Sequence, residues 1–526
     1  MVIMASKKQR FINNQRLSGR QVAQVSSQPA PIGGINAVDA IAAMPPQDAL
    51  IMENFFPTQY SVNARNGAQY HVTGITGTVE TLMVYRAGAV TKMFAIVNNA
   101  GTCGIFDVTN AGTVGAAVHT GLSNARWQYV NMSTPAGQYL YLFNGVDDPL
   151  LYNGTTWTAI NSASSPAIIH VTTNTLIAPE LFKNRLFMVK KNSTEVWYLP
   201  IQSISGNASA LYLGAYLRLG GSIIRVFNMP MATIDQTNNY IGFLSSEGEI
   251  LLFQGSDPDS DFSLIGVYRV GRPVGDKCIF RLSSEIYFIT TSGVYAMSQI
   301  YNGGNDVVNN SLSYKILPLI ADDTQKYFNN FGWQGIIHQA GSKVLINVPT
   351  GETNYSRQYV MNTLTGAWCL FTGWSAYCWE TMANNLYYGG NGFVAQADVV
   401  GYNSDFGNAI QASLKPAFSY FGTQATKMFT MVRPIITSDS AVSYNLIMNY
   451  DFKDSGGTVN TIVANSDTLW SVAWDVAWSA GEYTQNTWKS VTGTGYAATP
   501  RIDFAYRGST FKVQSFDYVW QNGGIL

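Results

Sequence analysis

A short apolar strand, a turn rich in Gly, Asn or Ser, and a second apolar strand recur seven times in this chain. That period constrains the fold more than any single motif. The hairpins begin at Met93 ("MFAIVNNAGTCGIFDV"), Tyr139 ("YLYLFNGVDDPLLYN"), Arg185, Tyr240, Ile286, Lys343 and Asn385, so successive starts lie 46, 46, 55, 46, 57 and 42 residues apart. Repeats of roughly 40 to 50 residues built from hairpins are the signature of a β-propeller, in which each blade buries its faces against its two neighbours. The expected fold is all-β: a β-propeller of six or seven blades, since one hairpin can complete a blade begun at the other terminus. Gaps of 55 and 57 residues imply insertions of about 10 residues that emerge as loops on one face. The rival is a non-periodic β-sandwich array, and the spacing is what argues against it.

The chain outside the period divides by composition. Residues 1–30 read as a flexible basic arm with Lys7, Lys8, Arg10, Arg16 and Arg20 and no acidic residue, which leaves 26 of the 31 basic residues against all 32 acidic ones in the remainder. A basic arm on a mildly acidic body is a candidate contact for nucleic acid or an acidic partner surface; the alternative is a solvated terminus. Residues 31–75 form an N-terminal docking segment with a Gly-Gly turn and a Pro-Pro break, where Pro46 is placed to start a short helix through Asn54. Residues 76–400 are the propeller core with inserted loops, and residues 401–526 a C-terminal, β-sandwich-like domain. There Trp470, Trp474 and Trp478 are read as strand residues on one face, because Val472 and Val476 interleave them. Charged residues are 12% of the chain, about half the ~25% usual for soluble domains, and aromatics are 13%. Such a mixture favours strands and turns over exposed helices.

Motifs that carry chemistry are few. No two of His71, His119, His170 and His338 lie within 45 residues of each other, so local zinc spacings are absent. No P-loop or GxSxG elbow occurs, and "GTGYAA" at residues 493–498 is followed by Pro500 where a dinucleotide fold needs a helix. Asp257, Asp259 and Asp261 open like a calcium loop, but Phe262 and Tyr268 stand where Gly and Glu are required, which makes a polar turn the better reading. "NGTTW" at residues 153–157 resembles half of the Asp-box turn of sialidases, with Leu150 and Tyr152 in place of its Ser and Asp. Cys103, Cys278, Cys369 and Cys378 show no CxxC spacing and read as buried free thiols. Neither a signal peptide nor an apolar run of ~18 residues is seen, so no membrane insertion is expected. The expectation is a non-enzyme with no cofactor and no metal.

Several segments, taken in order, resemble the tail nozzle family of short-tailed bacteriophages, also called tail tubular protein B, to which the DNA-stabilisation hub proteins are similar. The most specific is "APIGGINAVDAIAAMPPQDALIMENFFPT", residues 30–58. Its Gly-Gly-x-Asn turn (Pro31, Gly33, Gly34, Asn36), double proline (Pro45, Pro46) and Asn-x-Phe-Pro ending (Asn54, Phe55, Pro57) carry the match. "FNGVDDPLLYNGTTWT", "NRLFMV", "LSSEGEILLFQGSDPDSDFSLIGVYRVGRPVG" and "MNTLTGAWCLFTGW" continue it over most of residues 30–400. The resemblance implies a structural virion protein, made in the host cytoplasm, that forms a homohexameric ring below the adaptor and portal. Such a ring lines and gates the exit path of double-stranded DNA and docks fibres, spikes or a needle. The basic arm would then sit on the adaptor, and an acidic lumen would let DNA slide.

A rival from another class is a carbohydrate-binding or depolymerising propeller, with Trp368, Trp374 and Trp379, or Trp470, Trp474 and Trp478, as sugar platforms. A monomeric propeller adaptor of unknown ligand is the third.

Overall fold

The computed structural model describes residues 22–232, 237–301, 311–351, 356–440, 443–453, 460–462 and 483–523. The protein is nearly all β, 55% strand and 6% helix, around a six-blade β-propeller arrangement. All seven hairpins of the sequence period are the second and third strands of successive sheets. Four of these sheets are four-stranded meanders; a fifth four-stranded meander, Gln334 to Phe371, is part of a nine-stranded sheet, and the last sheet has five strands. Between the fourth and fifth meander lies a three-stranded sheet (Ile279–Leu282, Glu285–Thr290, Gly293–Ala296), followed by the helices α1 (Met297–Tyr301) and α2 (Leu317–Tyr327). This three-stranded sheet contacts the blades on both sides, through Phe227–Phe288 ring packing at 5.3 Å and a parallel bridge from Lys277 to Gln334.

The first blade shows why such a sequence folds this way. Its inner strand, Thr78–Ala87, is buried without a break from Val79 to Tyr85. Side chains of a strand alternate between faces, so Met83 and Tyr85 enter the cluster shared with the second blade while Leu82 and Val84 enter the cluster shared with the last. Local turn chemistry closes the hairpins. In the third blade only Lys183 and Asn184, at φ +47° and +60°, separate Phe182 from Arg185, the two-residue mirror-image turn whose twist suits antiparallel strands. The ring is closed by a strand from far upstream: Gly67–Thr73 pairs with Val394–Val399 and completes the last blade.

The C-terminal region is a sandwich of two sheets, and one of them is continuous with the propeller. A nine-stranded sheet runs from the blade strands Gln334–His338, Lys343–Pro349, Ser356–Asn362 and Trp368–Phe371 through Ala49–Glu53 into Ile410–Pro416, Ala498–Tyr506, Tyr444–Tyr450 and Asn460–Ile462. The facing sheet is centred on Phe511–Asn522 and Lys427–Ser438 and also takes Gln24–Pro29, Phe55–Pro57 and Val62–Ala64. Phe55, Phe504 and Phe511 fill the space between the sheets, with 4.1 Å between the last two ring centroids.

Residues 31–75, read from sequence as one docking segment, therefore divide among a turn, two sandwich sheets and the closing strand of the propeller. The helix expected from Pro46 through Asn54 does not form. Pro45 to Asp48 make a turn, closed by the Asp48 N–H on the Pro45 carbonyl, and Ala49–Glu53 is a strand. Its place between Trp368–Phe371 and Ile410–Pro416 offers backbone partners on both sides that a local helix would forgo.

Candidate functional site

Two regions gather the polar side chains of this low-charge chain: the axis of the propeller and the seam where it meets the sandwich.

Toward the axis, the blades present charged residues that cross from one blade to the next. Arg126 Nε meets Glu80 Oε2 at 3.0 Å, Arg281 meets Glu180 at 3.1 Å, and Arg86 lies 3.8 Å from Glu380. Tyr129 donates its hydroxyl to Glu380, whose other oxygen accepts the Thr381 N–H. Cavities of about 310, 160 and 230 Å³ succeed one another here, the first lined by Glu80 and Arg126, the last by Glu180, Arg225 and Glu380. Lys277 and Gln128 line both the second and the third. Burial dominates the electrostatics. It pushes the Glu180 carboxyl up to about 7 despite Arg281, raises Glu380, and lowers the Lys277 ammonium.

The axial charges escaped the sequence reading, although a signal existed. Glu80, Arg126, Glu180, Arg225, Arg281, Gln334 and Glu380 each stand 5 to 15 residues ahead of one hairpin start, so the polar residues repeat with the blades.

At the seam lie the residues that carry the family resemblance. Gly34 has φ +79°, and a Cβ on it would lie 2.4 Å from the Trp368 carbonyl oxygen, so only glycine lets these backbones bridge. Asn36 accepts the Val38 and Asp39 N–H groups and donates to Asp48 at 2.7 Å, and Lys315 reaches the other Asp48 oxygen at 2.6 Å. Gly33 packs against Asp48, and Pro31 is buried. Pro45 and Pro46 are exposed at the turn, with the Pro46 carbonyl accepting from Gln28. Asn54, at φ +56°, makes four bonds. It donates to Thr372 Oγ1 (2.8 Å) and the Gln411 carbonyl (2.7 Å) and accepts from Arg65 Nε (2.8 Å) and the Thr372 N–H (2.9 Å). Arg65, wholly buried, forks onto Asp405 at 2.6 and 3.0 Å and lies 4.5 Å from the Trp374 ring centre. The Pro57 carbonyl accepts from Asn362. A second buried knot joins Asp398 to Lys343 (2.6 Å) and His338 (3.0 Å). Burial works against its charge, but Lys343 and His338 prevail and hold the Asp398 carboxyl down at about 2. Thus the resemblance residues serve the interior as hinge and anchor, with Pro45 and Pro46 the exposed exceptions.

Other sequence candidates find their places. Lys7, Lys8, Arg10, Arg16 and Arg20 lie outside the described residues, as do Trp470, Trp474 and Trp478. Trp368, Trp374 and Trp379 are 1%, 0% and 0% exposed and pack in the core, so they present no platform to a sugar. Asp261 caps its own turn through the Ser256 and Asp257 N–H groups, Asp259 accepts from Tyr198, and Asp257 pairs with Arg185. Asn153 closes the "NGTTW" turn by accepting the Thr155 and Thr156 N–H groups. All four cysteines are buried and free. Among the described residues no cluster of His, Cys, Asp and Glu is arranged to hold a metal ion, and no helix is long and apolar enough to cross a membrane.

No family model and no curated protein matches this chain. Among solved structures it is similar to BBS1N, crystallised in complex with ARL6DN, at 10% identity over 63% of this chain and 96% of that one, with a TM-score of 0.37. Sqt1 of Saccharomyces cerevisiae is similar at 9% identity over 67% and 86% of the two chains, TM-score 0.35. Raptor of Chaetomium thermophilum is similar at 10% identity over 64% and 29%, TM-score 0.38. Likeness this distant carries no argument about function.

Proposed function

We propose that this chain is a structural subunit of a phage tail nozzle or hub, a rigid element that acts by assembling into a ring around the DNA exit path. The observation that carries the reading is where the resemblance falls. Residues 30–58, its most specific segment, supply the strand and buried anchors that join propeller and sandwich through one continuous sheet. A subunit that must hold its shape against neighbours in a ring needs such a seam. In this reading the DNA path is the lumen between copies. Among the described residues the cavities along the propeller axis are of about 160 to 310 Å³ and are crossed by ion pairs, too confined for a duplex whose grooves alone are ~12 and ~6 Å wide. The basic arm and the loops of the blades would make the contacts to adaptor, fibres or needle.

Light scattering tests the proposal. The purified 57.5 kDa chain, mixed with the adaptor ring of the same particle, is expected to shift to a sixfold assembly. A variant with Lys7, Lys8, Arg10, Arg16 and Arg20 replaced by Ser is expected to assemble poorly on the adaptor while remaining folded. A stable monomer with and without the adaptor refutes the assembly reading.

A further inference from the structure

The axial cavities contain two cations, Lys277 and Arg225, that no described carboxylate pairs directly. Lys277 stands where two cavities meet, and no described residue accepts a hydrogen bond from its ammonium. Arg225, on the same cavity of about 230 Å³, donates its Nε to the Asp276 carbonyl and makes no ion pair among the described residues, so its terminal N–H groups remain. The carboxylates that share this cavity are already engaged: Glu180 by Arg281, Glu380 by Tyr129 and the Thr381 N–H. Gln128 accepts the Ala178 N–H through its side-chain oxygen, which leaves its NH2 group as a further donor. On this cavity three cations, Arg225, Lys277 and Arg281, face two carboxylates, Glu180 and Glu380, so positive charge is in excess in a half-buried space where screening by water is weak.

We propose that this axial cavity binds a small oxyanion of the phosphate or compact carboxylate class, held by the Lys277 ammonium, the free N–H groups of Arg225 and the Gln128 amide. Guanidinium and ammonium groups together suit such an anion, the first by its fork of donors and the second as a point charge. The volume sets the size. At ~30 Å³ per water the cavity of about 230 Å³ has room for roughly eight waters, enough for a phosphate and part of its shell, and below the ~300 Å³ where sites for larger organic ligands begin. Because the site is built by the blades of a single chain, it does not depend on whether the chain forms a ring.

The test is isothermal titration of the full-length protein with inorganic phosphate and, separately, with citrate, each against sodium chloride of matched ionic strength. Saturable binding of one anion per chain is expected for at least one of the two, and which one identifies the source. Lys277→Met is expected to weaken that binding by about tenfold or more. In anion-free buffer its melting temperature should equal or exceed that of the parent, because a half-buried unpaired charge is gone. Arg225→Gln, read the same way, replaces Lys277→Met if that variant does not fold. The proposal is overturned if neither anion gives saturable heat below ~10 mM, or if Lys277→Met binds as tightly as the parent.

Discussion

Replacing Asn54 by Ala should loosen the joint between propeller and sandwich more than any other truncation of one small side chain. The amide makes four hydrogen bonds of 2.7 to 2.9 Å in a buried setting. Its loss leaves Arg65 Nε, the Thr372 N–H and the Gln411 carbonyl without these partners. Each buried orphan costs about 1–3 kcal/mol, and the charged donor lies at the upper end. After partial relaxation the expected loss is about 3–6 kcal/mol. The backbone adds to it, because Asn54 sits at φ +56° and a left-handed conformation costs Ala roughly 1–2 kcal/mol. Asn54→Gly separates the two effects: it loses the same bonds without that strain, so it should fall between the parent and Asn54→Ala. Equilibrium urea unfolding followed by tryptophan fluorescence is the assay, since Trp374, against Arg65, is at the joint. The transition should move to lower urea with an unchanged slope. A midpoint for Asn54→Ala within ~0.5 kcal/mol of the parent, the range of ordinary surface substitutions, would refute the account of the seam.

Two pH predictions of opposite sign follow from the buried carboxylates. Asp398 is held at about 2 in the folded protein against the 3.8 usual for an aspartate, so its stabilisation is complete above pH ~3.8 and is lost as pH falls toward 2. The amount is about 2–3 kcal/mol, and Asp398→Asn should flatten the acid limb of a plot of urea midpoint against pH; an unchanged limb refutes it. Glu180 is raised to about 7 from 4.5, so the folded state holds an extra proton between these values and stability falls by up to about 3 kcal/mol as pH rises through that window. Glu180→Gln should remove the slope between pH 4.5 and 7, and persistence of that slope would show that another group carries it.

The propeller was legible because its cause is local. Each hairpin is specified by a short turn, from two residues (Ala100 and Gly101) to six, and by apolar runs within about 20 residues, and the period then counts the sheets. Residues 49–53 were not legible. "ALIME" after a double proline satisfies helix grammar, and it is a strand only because Trp368–Phe371 and Ile410–Pro416 supply its backbone partners from more than 300 residues away. The motif residues were visible as a pattern, but their burial was not. Asn54 and Arg65 look like surface polar residues until the fold brings Thr372 and Asp405 onto them.

The same division runs through the candidate site. Sequence alone determined the all-β class, the blade spacing and the positions at which polar residues interrupt apolar strands, because alternation and turn propensity act between neighbours in the chain. Tertiary structure decided which charges meet. Arg86 faces Glu380 and Arg281 faces Glu180 only once the blades close into a ring, and Lys277 is left unpaired because closure brings it beside carboxylates that other donors already hold. Electrostatic energy depends on distance and burial, and both are fixed by contacts remote in sequence.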